Sequence, residues 1–180
     1  KELRDIARAV PAILTLLTKT MRLPDDATIL DVGAGTGLLL KALSGAVPSG
    51  SVIASELSPD FCAWMRARIE TEDLKHNVRV AVATTHNPLP QGDPSEGSIR
   101  LALLVDVYHH LEFPRTVCRR LRALLHPEDG RLVIIDFHRD PTKVKSKSQE
   151  WVMKHLRAGQ GTFREEIISA GFVLESEPNI

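Results

Sequence analysis

The stretch ILDVGAGTG, residues 29–37, joins an apolar segment to a turn that contains three glycines. The apolar segment ends at Asp31, and glycine follows at positions 33, 35 and 37. Glycine permits a tight turn and lets a ligand approach the backbone, with the N-terminus of the next helix directly behind it. The stretch therefore predicts a buried strand and a ligand-binding turn, and a tight turn without a ligand is the alternative.

Strand-like and helix-like segments alternate along the rest of the chain. Apolar runs predict strands at residues 28–32, 51–56, 78–83, 99–106, 131–137 and 172–177. Strands that are apolar over most of their length and alternate with helices are typical of a parallel sheet covered on both faces. The sequence predicts an α/β fold, in which ligands bind beyond the carboxyl ends of the strands.

Several short signals predict where helices begin and end. Ser58 before Pro59 is a good helix start, and Thr162 with Glu165 has the spacing of a capping box. Helices are expected at about 36–43 and at 114–125, and Gly171 is expected to close the helix before 172–177. Pro11 predicts a break between two short helices in residues 1–24, which we expect to cap the domain.

Composition and charge limit the possible partners. The chain has 180 residues, suited to one domain, with 23 Lys and Arg against 23 Asp and Glu. This balance, and an arginine stripe at 115, 119 and 122 without interleaved aromatic residues, predict no nucleic-acid partner and no membrane partner. Cys62 and Cys118 have neither disulfide nor metal-ligand spacing, so we expect them to be reduced packing residues. We also expect no metal and a cytoplasmic location.

A second carboxylate follows the second predicted strand. Glu56 lies a little under 20 residues beyond Gly37, where an acid can accept two hydrogen bonds from a ribose diol. A solvated strand end or a first-turn helix acid is the alternative. Together with the glycine turn, and with Asp31 available for a cationic amine, Glu56 favours a ligand that contains a nucleoside.

Four stretches in this order resemble the class I methyltransferases that use S-adenosylmethionine, over about residues 27–177. They are ILDVGAGTG, the strand end at Glu56, LVDVYHHL at 104–111 and LHPEDGRLVIIDF at 125–137. Within this class, the stretches are most similar to the small-molecule branches that carry an Asp-x-Tyr-His-His motif. The resemblance implies a Rossmann-like, doubly wound, mostly parallel sheet of six to seven strands with helices on both faces. It also implies the strand order 3-2-1-4-5, and a domain over 25–180 that lacks its last strand.

The resemblance assigns cofactor contacts to the strand ends. The glycine turn wraps the methionine part, Glu56 takes the ribose, and the loop after the third strand touches adenine. The expected cofactor-binding residues are Asp31, Gly33, Ala34, Gly35, Gly37, Glu56, Leu57, Thr84, Thr85 and Asp106. Two positions depart from the family pattern: Thr84 and Thr85 stand where many relatives have an aspartate, and Arg100 stands where relatives tend to have an acid.

Polar residues at the end of the fourth strand are the catalytic candidates: Asp106, Tyr108, His109 and His110. A histidine titrates near neutral pH and can take a proton from the methyl acceptor, and His110 is the one expected to face inward. A structural role for either histidine is the alternative. Trp151 and His155 lie four residues apart on one helix face, which predicts either a lid over the acceptor or packing on the domain.

The resemblance implies an enzyme that moves the methyl group of S-adenosylmethionine to a small-molecule acceptor by in-line displacement. A non-catalytic module that binds S-adenosylmethionine is one alternative. An NAD-dependent oxidoreductase is another, but its G-x-G-x-x-G pattern requires glycine at position 38, where this chain has Leu38.

Overall fold

A five-stranded parallel sheet forms the centre of the computed structural model, which describes residues 2–89, 94–144 and 147–178. The strands are β1 (Thr28–Val32), β2 (Ser51–Glu56), β3 (Val78–Val82), β4 (Leu101–Val105) and β5 (Arg131–Ile135). Their order is β3-β2-β1-β4-β5, and every neighbouring pair is parallel. This confirms the predicted strand order, which reverses direction at β1 and opens a crevice between β1 and β4.

Helices cover both faces of the sheet, as predicted. They are α1 (Glu2–Thr15), α2 (Leu40–Ala46), α3 (Pro59–Thr71), α4 (Pro114–Leu124), α5 (Gln149–His155) and α6 (Gln160–Ser169), with a π-helical turn at Leu16–Thr20 and a 3₁₀ turn at Tyr108–His110. One buried cluster joins α1, α2 and α3 to the sheet, and a second joins α4 and α6 to the opposite face. No helix among the described residues is both long and apolar enough to cross a membrane.

The predicted sixth strand is absent from the described part of the chain, which has five strands rather than six or seven. Residues 172–177 are irregular, and the Val173 side chain is 91% exposed. Glu175 contacts β5 through an ion pair with Arg131, in which Nε and Oε2 are 2.8 Å apart. Phe172 packs, partly buried, against the cluster that joins α4 and α6 to the sheet, but Val173 and Leu174 are exposed, so the segment does not pack as a strand with one buried face.

Three helix boundaries differ from the prediction. Helix α1 continues through Pro11, and the Thr15 hydroxyl donates a hydrogen bond to the Pro11 carbonyl. Helix α6 begins after Gly159 and has no side-chain cap, so Thr162 lies inside the helix. Helix α2 begins only at Leu40, because residues 33–39 form turns.

Other local predictions are confirmed. Ser58 caps α3, where its Oγ accepts a hydrogen bond from the Phe61 amide, and Pro59 is the first helical residue. Cys62 and Cys118 are free and buried. Arg100, which departs from the family pattern, forms an ion pair with Asp129 in the turn before β5.

Candidate active site

A cavity of about 460 Å³ lies at the carboxyl ends of β1, β2 and β4. This is the crevice that the strand order creates, and its volume suits a small organic ligand. Its wall comes from the turn after β1, the end of β2, the loop after β3 and the segment after β4. Residues from four separate strand ends therefore face one space.

The glycine turn forms one wall of the cavity. Gly33 has φ +70°, and a Cβ built there would lie 2.7 Å from the Val107 side chain. Gly35 has φ +57°, but a Cβ there would meet nothing within 4 Å. Gly33 is therefore required by packing, whereas Gly35 leaves open space beside the backbone where a ligand can lie.

Gly37 lies outside the cavity wall, although it was expected among the cofactor contacts. A Cβ there would lie 2.5 Å from Cδ1 of Leu40. The carbonyls of Gly37 and Thr36 both accept hydrogen bonds from Nη1 of Arg68, at 2.7 and 2.9 Å. Gly37 thus shapes the turn, and Arg68 of α3 holds it. Nothing in the sequence distinguishes Arg68 from a solvated residue, since a charged residue on a helix is usually solvated.

The Glu56 carboxylate connects β2 to the glycine turn. Its Oε2 accepts a hydrogen bond from the Gly35 amide at 2.8 Å, and its Oε1 accepts one from the Ser58 amide at 2.9 Å. Each carboxylate oxygen can accept a second hydrogen bond. Glu56 therefore keeps acceptor capacity toward the cavity that it lines.

Asp31 lies at the floor of the cavity, and its side chain is almost completely buried. Burial, with a smaller contribution from the negative charge of Glu56, raises the pKa of Asp31 to about 7. Desolvation disfavours the carboxylate form, and a nearby cation would favour it. A cationic group bound beside Asp31 would therefore bring this pKa down.

The loop after β3 and the end of β4 complete the wall. Thr84 and Thr85 both line the cavity, and the Thr84 amide donates to the Asn87 carbonyl at 2.9 Å. Asp106 has φ +59°, a left-handed conformation that aspartate adopts more readily than most residues. Its amide donates to the Ile135 carbonyl at 2.8 Å, which fixes the chain where it leaves β4.

Tyr108 belongs to the core and not to the cavity, contrary to its place among the catalytic candidates. Its side chain is fully buried, and its hydroxyl donates to Oε2 of Glu166 at 3.2 Å. Arg157 makes two further hydrogen bonds to the same carboxylate, at 2.8 and 2.7 Å. The 3₁₀ turn directs Tyr108 toward α6, so its role is to anchor this turn.

His109 is also buried, and its ring is held by two partners. Its Nδ1 lies 2.7 Å from Oδ1 of Asp136, and its Nε2 lies 3.1 Å from Nε2 of His155. The neighbouring His110 is exposed and lines the cavity, with its ring centroid 3.9 Å from that of His109. His110 therefore faces the cavity as expected, and a proton-accepting role for it stays a prediction.

Asp136 and His155 were not among the predicted site residues. Asp136 directly follows β5, so the rule that ligands bind at strand ends could have identified it. Trp151 stacks on His155 with ring centroids 4.2 Å apart and also contacts Phe137. This matches the alternative in which the pair packs on the domain, and it brings His155 to His109.

Comparison with known proteins identifies the family. The sequence profile described as a methyltransferase domain matches residues 30–132, more than half of the chain. The chain belongs to this methyltransferase family.

Solved structures of similar fold include a SAM-dependent methyltransferase from Aquifex aeolicus, with a TM-score of 0.72 and 20% identity over 92% of this chain and 87% of that one. A putative methyltransferase from Bacillus halodurans has a TM-score of 0.70 and 20% identity, over 92% and 71% of the two chains. A highly reducing polyketide synthase from Aspergillus terreus is 29% identical in an alignment 168 positions long that covers 80% of this chain. The chain spans 6% of that synthase.

The geometry of this methyltransferase brings together most of the residues expected to bind the cofactor. Asp31, Gly33, Ala34, Gly35, Glu56, Leu57, Thr84, Thr85 and Asp106 all line the cavity. Of the catalytic candidates, His110 and Asp106 reach it, while Tyr108 and His109 pack behind it.

Proposed function

We propose that this methyltransferase transfers the methyl group of S-adenosylmethionine to a small-molecule acceptor that binds beside His110 and Asp106. The observation that carries the proposal is one cavity lined by two chemically different sets of residues. The glycine turn and Glu56 supply one part of its wall, which we take as the cofactor end, and the polar residues after β4 supply another, which we take as the acceptor end. A cofactor held at the first end can direct its methyl group toward an acceptor at the second.

The chemistry of the first end fits S-adenosylmethionine. Gly35 leaves space beside the backbone, the two oxygens of Glu56 can accept from a ribose diol, and Asp31 offers a carboxylate to the ammonium group. Thr84 and Thr85 line the cavity on the β3 side, where the adenine is expected. Arg68 holds the glycine turn through its hydrogen bonds to the carbonyls of Thr36 and Gly37.

Methyl transfer requires positioning more than covalent chemistry from the protein. The cofactor supplies a methyl group that is already activated on a sulfonium. Alignment of this group with the acceptor, away from water, can contribute up to about 7–11 kcal/mol of the barrier. Here His110, Leu111 and Glu112 form the wall beside the acceptor end, with Asp106 at the end of β4.

A small-molecule acceptor is favoured by the size of the cavity and by the balanced charge of the chain. Two structures of similar fold support this inference: geranyl diphosphate methyltransferase in complex with GPP and sinefungin, with a TM-score of 0.65, and coclaurine N-methyltransferase bound to N-methylheliamine and SAH, with a TM-score of 0.60. Nucleic acid is disfavoured because the chain has no excess of basic residues to neutralise phosphates.

Two measurements test the proposal. Isothermal titration calorimetry should show binding of S-adenosylmethionine and S-adenosylhomocysteine and no heat with NADH. Incubation of the loaded protein with small-molecule extracts, followed by mass spectrometry, should show a product heavier by one methylene. Tight cofactor binding without any methylated product over a broad acceptor screen would favour the non-catalytic module instead.

A further inference from the structure

Three histidine rings from two distant parts of the chain meet beside the cavity. His109 and His110 belong to the 3₁₀ turn after β4, and His155 is the last residue of α5. One ring nitrogen from each lies within 4.8 Å of the other two. Such a set of imidazole nitrogens is the ligand type that divalent transition metals prefer.

The orientation of His109 is set by a carboxylate behind it. Oδ1 of Asp136 lies 2.7 Å from Nδ1 of His109, and Oδ2 accepts a hydrogen bond from the His109 amide at 3.1 Å. The Phe137 amide donates to the same carboxylate at 2.8 Å. With the proton of His109 on Nδ1, the lone pair of Nε2 points toward His155. Metal-binding histidines are oriented in this way, by a carboxylate on the ring nitrogen that does not bind the metal.

His155 is also held in place before any ion binds. Its ring stacks on Trp151, and Ser148 caps the start of α5 by accepting from the Trp151 amide at 3.1 Å. At the other end of the helix, Arg139 donates hydrogen bonds to the carbonyls of Leu156 and Met153, at 2.9 and 3.1 Å. A fixed helix therefore presents His155 to His109.

We propose that His109, His110 and His155 bind a divalent transition metal ion such as Zn²⁺. In a tetrahedral site with bonds of about 2.0–2.1 Å, two nitrogen ligands lie roughly 3.3 Å apart. The Nε2 atoms of His109 and His155 are 3.1 Å apart, close to that value. His110 is exposed and needs only a side-chain movement to complete the set. A hydrogen-bonded chain from Asp136 through His109 to His155, without metal, is the competing explanation.

An ion bound here would lie beside the cavity, because His110 lines both the cavity and the cluster. A zinc ion with three protein ligands and one open position is typical of a catalytic site, whereas a structural site has four protein ligands. An acceptor oxygen bound there would lose its proton more easily. This role rests on the proposed function and implies acceptors with a hydroxyl or enol oxygen, whereas metal binding itself does not depend on methyl transfer.

The test is metal binding by the full chain after treatment with a chelator and dialysis. Titration with Co²⁺ should give the visible absorption of a tetrahedral site with nitrogen ligands, at one equivalent, and Zn²⁺ should abolish this absorption by displacement. Zn²⁺ should also raise the melting temperature, since it binds the folded state. His155→Ala and His110→Ala should remove the absorption. Asp136→Asn should keep the stoichiometry but weaken affinity by about 10–100-fold.

His76→Ala, which removes an exposed histidine far along the chain from the cluster, is the matched control and should bind Co²⁺ like the unmodified protein. Circular dichroism checks that each variant is folded, and His155→Gln replaces His155→Ala if the latter is not. The proposal is overturned if no stoichiometric Co²⁺ absorption appears, or if the absorption survives in the folded His155 and His110 variants. Calorimetry measures the affinity of the metal-free protein for S-adenosylhomocysteine. This measurement tests the cofactor site independently, so failure of the metal site can be distinguished from failure of the cofactor site.

Discussion

The Glu56 carboxylate accepts a hydrogen bond from the Gly35 amide at 2.8 Å, and so connects the end of β2 to the turn after β1. Two residues that the sequence suggested as separate ligand contacts are therefore partners of each other. Glu56 therefore holds the turn against β2, and we propose that its remaining lone pairs accept hydrogen bonds from the ligand.

Glu56→Ala should weaken binding of S-adenosylmethionine by roughly 10–150-fold, since hydrogen bonds to a charged group contribute about 1.5–3 kcal/mol. Glu56→Gln keeps one acceptor oxygen and should lose less. Calorimetry measures both affinities, with the exposed Glu128→Gln as a matched control. Equal affinities for the Glu56→Ala variant and the control would contradict a ribose contact at this residue.

Substitutions at Gly33 and Gly35 should have different effects, because the first should lower folding stability and the second should lower cofactor affinity. Gly33→Ala places a Cβ 2.7 Å from Val107 at a positive φ, so it should lower stability by about 1–3 kcal/mol. In Gly35→Val, no protein atom lies within 4 Å of the added Cβ, although the positive φ makes the substitution somewhat strained. Its main effect should therefore be a loss of cofactor affinity. Thermal unfolding and calorimetry measure the two effects. Gly45→Ala serves as the control, because Gly45 lies in α2 with a φ that is not positive and with open space beside it. A Gly35→Val variant with unchanged cofactor affinity would refute a contact between the cofactor and Gly35.

Asp31 predicts a dependence of cofactor affinity on pH. Burial raises its pKa to about 7, and the ammonium of S-adenosylmethionine favours the ionised carboxylate. An α-amino group has a pKa of about 7.7–8.0, so between pH 5.5 and 7 the ligand stays cationic while Asp31 ionises. Affinity should therefore rise over this range, by up to about tenfold per pH unit. Asp31→Asn should bind more weakly and should flatten this rise; a wild-type affinity that does not change with pH would exclude the ammonium contact.

The Asp31 carboxyl should also make the stability of the folded chain depend on pH. Stability should fall as pH rises, whereas cofactor affinity should increase. The folded-state pKa of Asp31, about 7, lies above the value of about 3.9 in an unfolded chain, so the folded state holds its proton more tightly between these values. The stabilisation is fully present below about pH 4 and is lost as pH rises through 7. Without ligand, Asp31→Asn should therefore gain stability relative to the wild type between pH 5 and pH 8. Denaturant unfolding at the two pH values tests this, and a constant difference would show that Asp31 does not titrate near 7.

Tyr108→Phe tests the correction from active site to core. The substitution removes the hydrogen bond to Glu166 inside a buried cluster and should cost about 1–3 kcal/mol of stability. Cofactor affinity and turnover should change little at a temperature where the variant is folded. Thermal unfolding and single-temperature kinetics measure these quantities. A folded Tyr108→Phe variant with a large loss of turnover would restore the catalytic assignment.

The sheet and the cofactor end of the cavity were predictable because their signals are local. Continuous apolar strands imply a parallel sheet, and the strand-end rule then places Asp31, Glu56 and Asp106 at one edge. The acceptor end was less predictable, because a 3₁₀ turn points successive residues in different directions. It buries Tyr108 and His109 and leaves His110 at the cavity. His155 contacts His109 from 46 residues away, a pairing that no spacing in the sequence indicates.

Arg68 has a consequence for the thermodynamics of ligand binding. A glycine-rich turn is the segment that loses the most freedom when a ligand orders it. Here the guanidinium already donates to the carbonyls of Thr36 and Gly37, and its Nε donates to Glu72, the residue directly after α3, at 2.7 Å. Much of the conformational entropy of the glycine turn is therefore lost when the chain folds and not when the cofactor binds. Cofactor binding should consequently show a smaller unfavourable entropy than in an Arg68→Ala variant, even though the side chain lies outside the cavity wall.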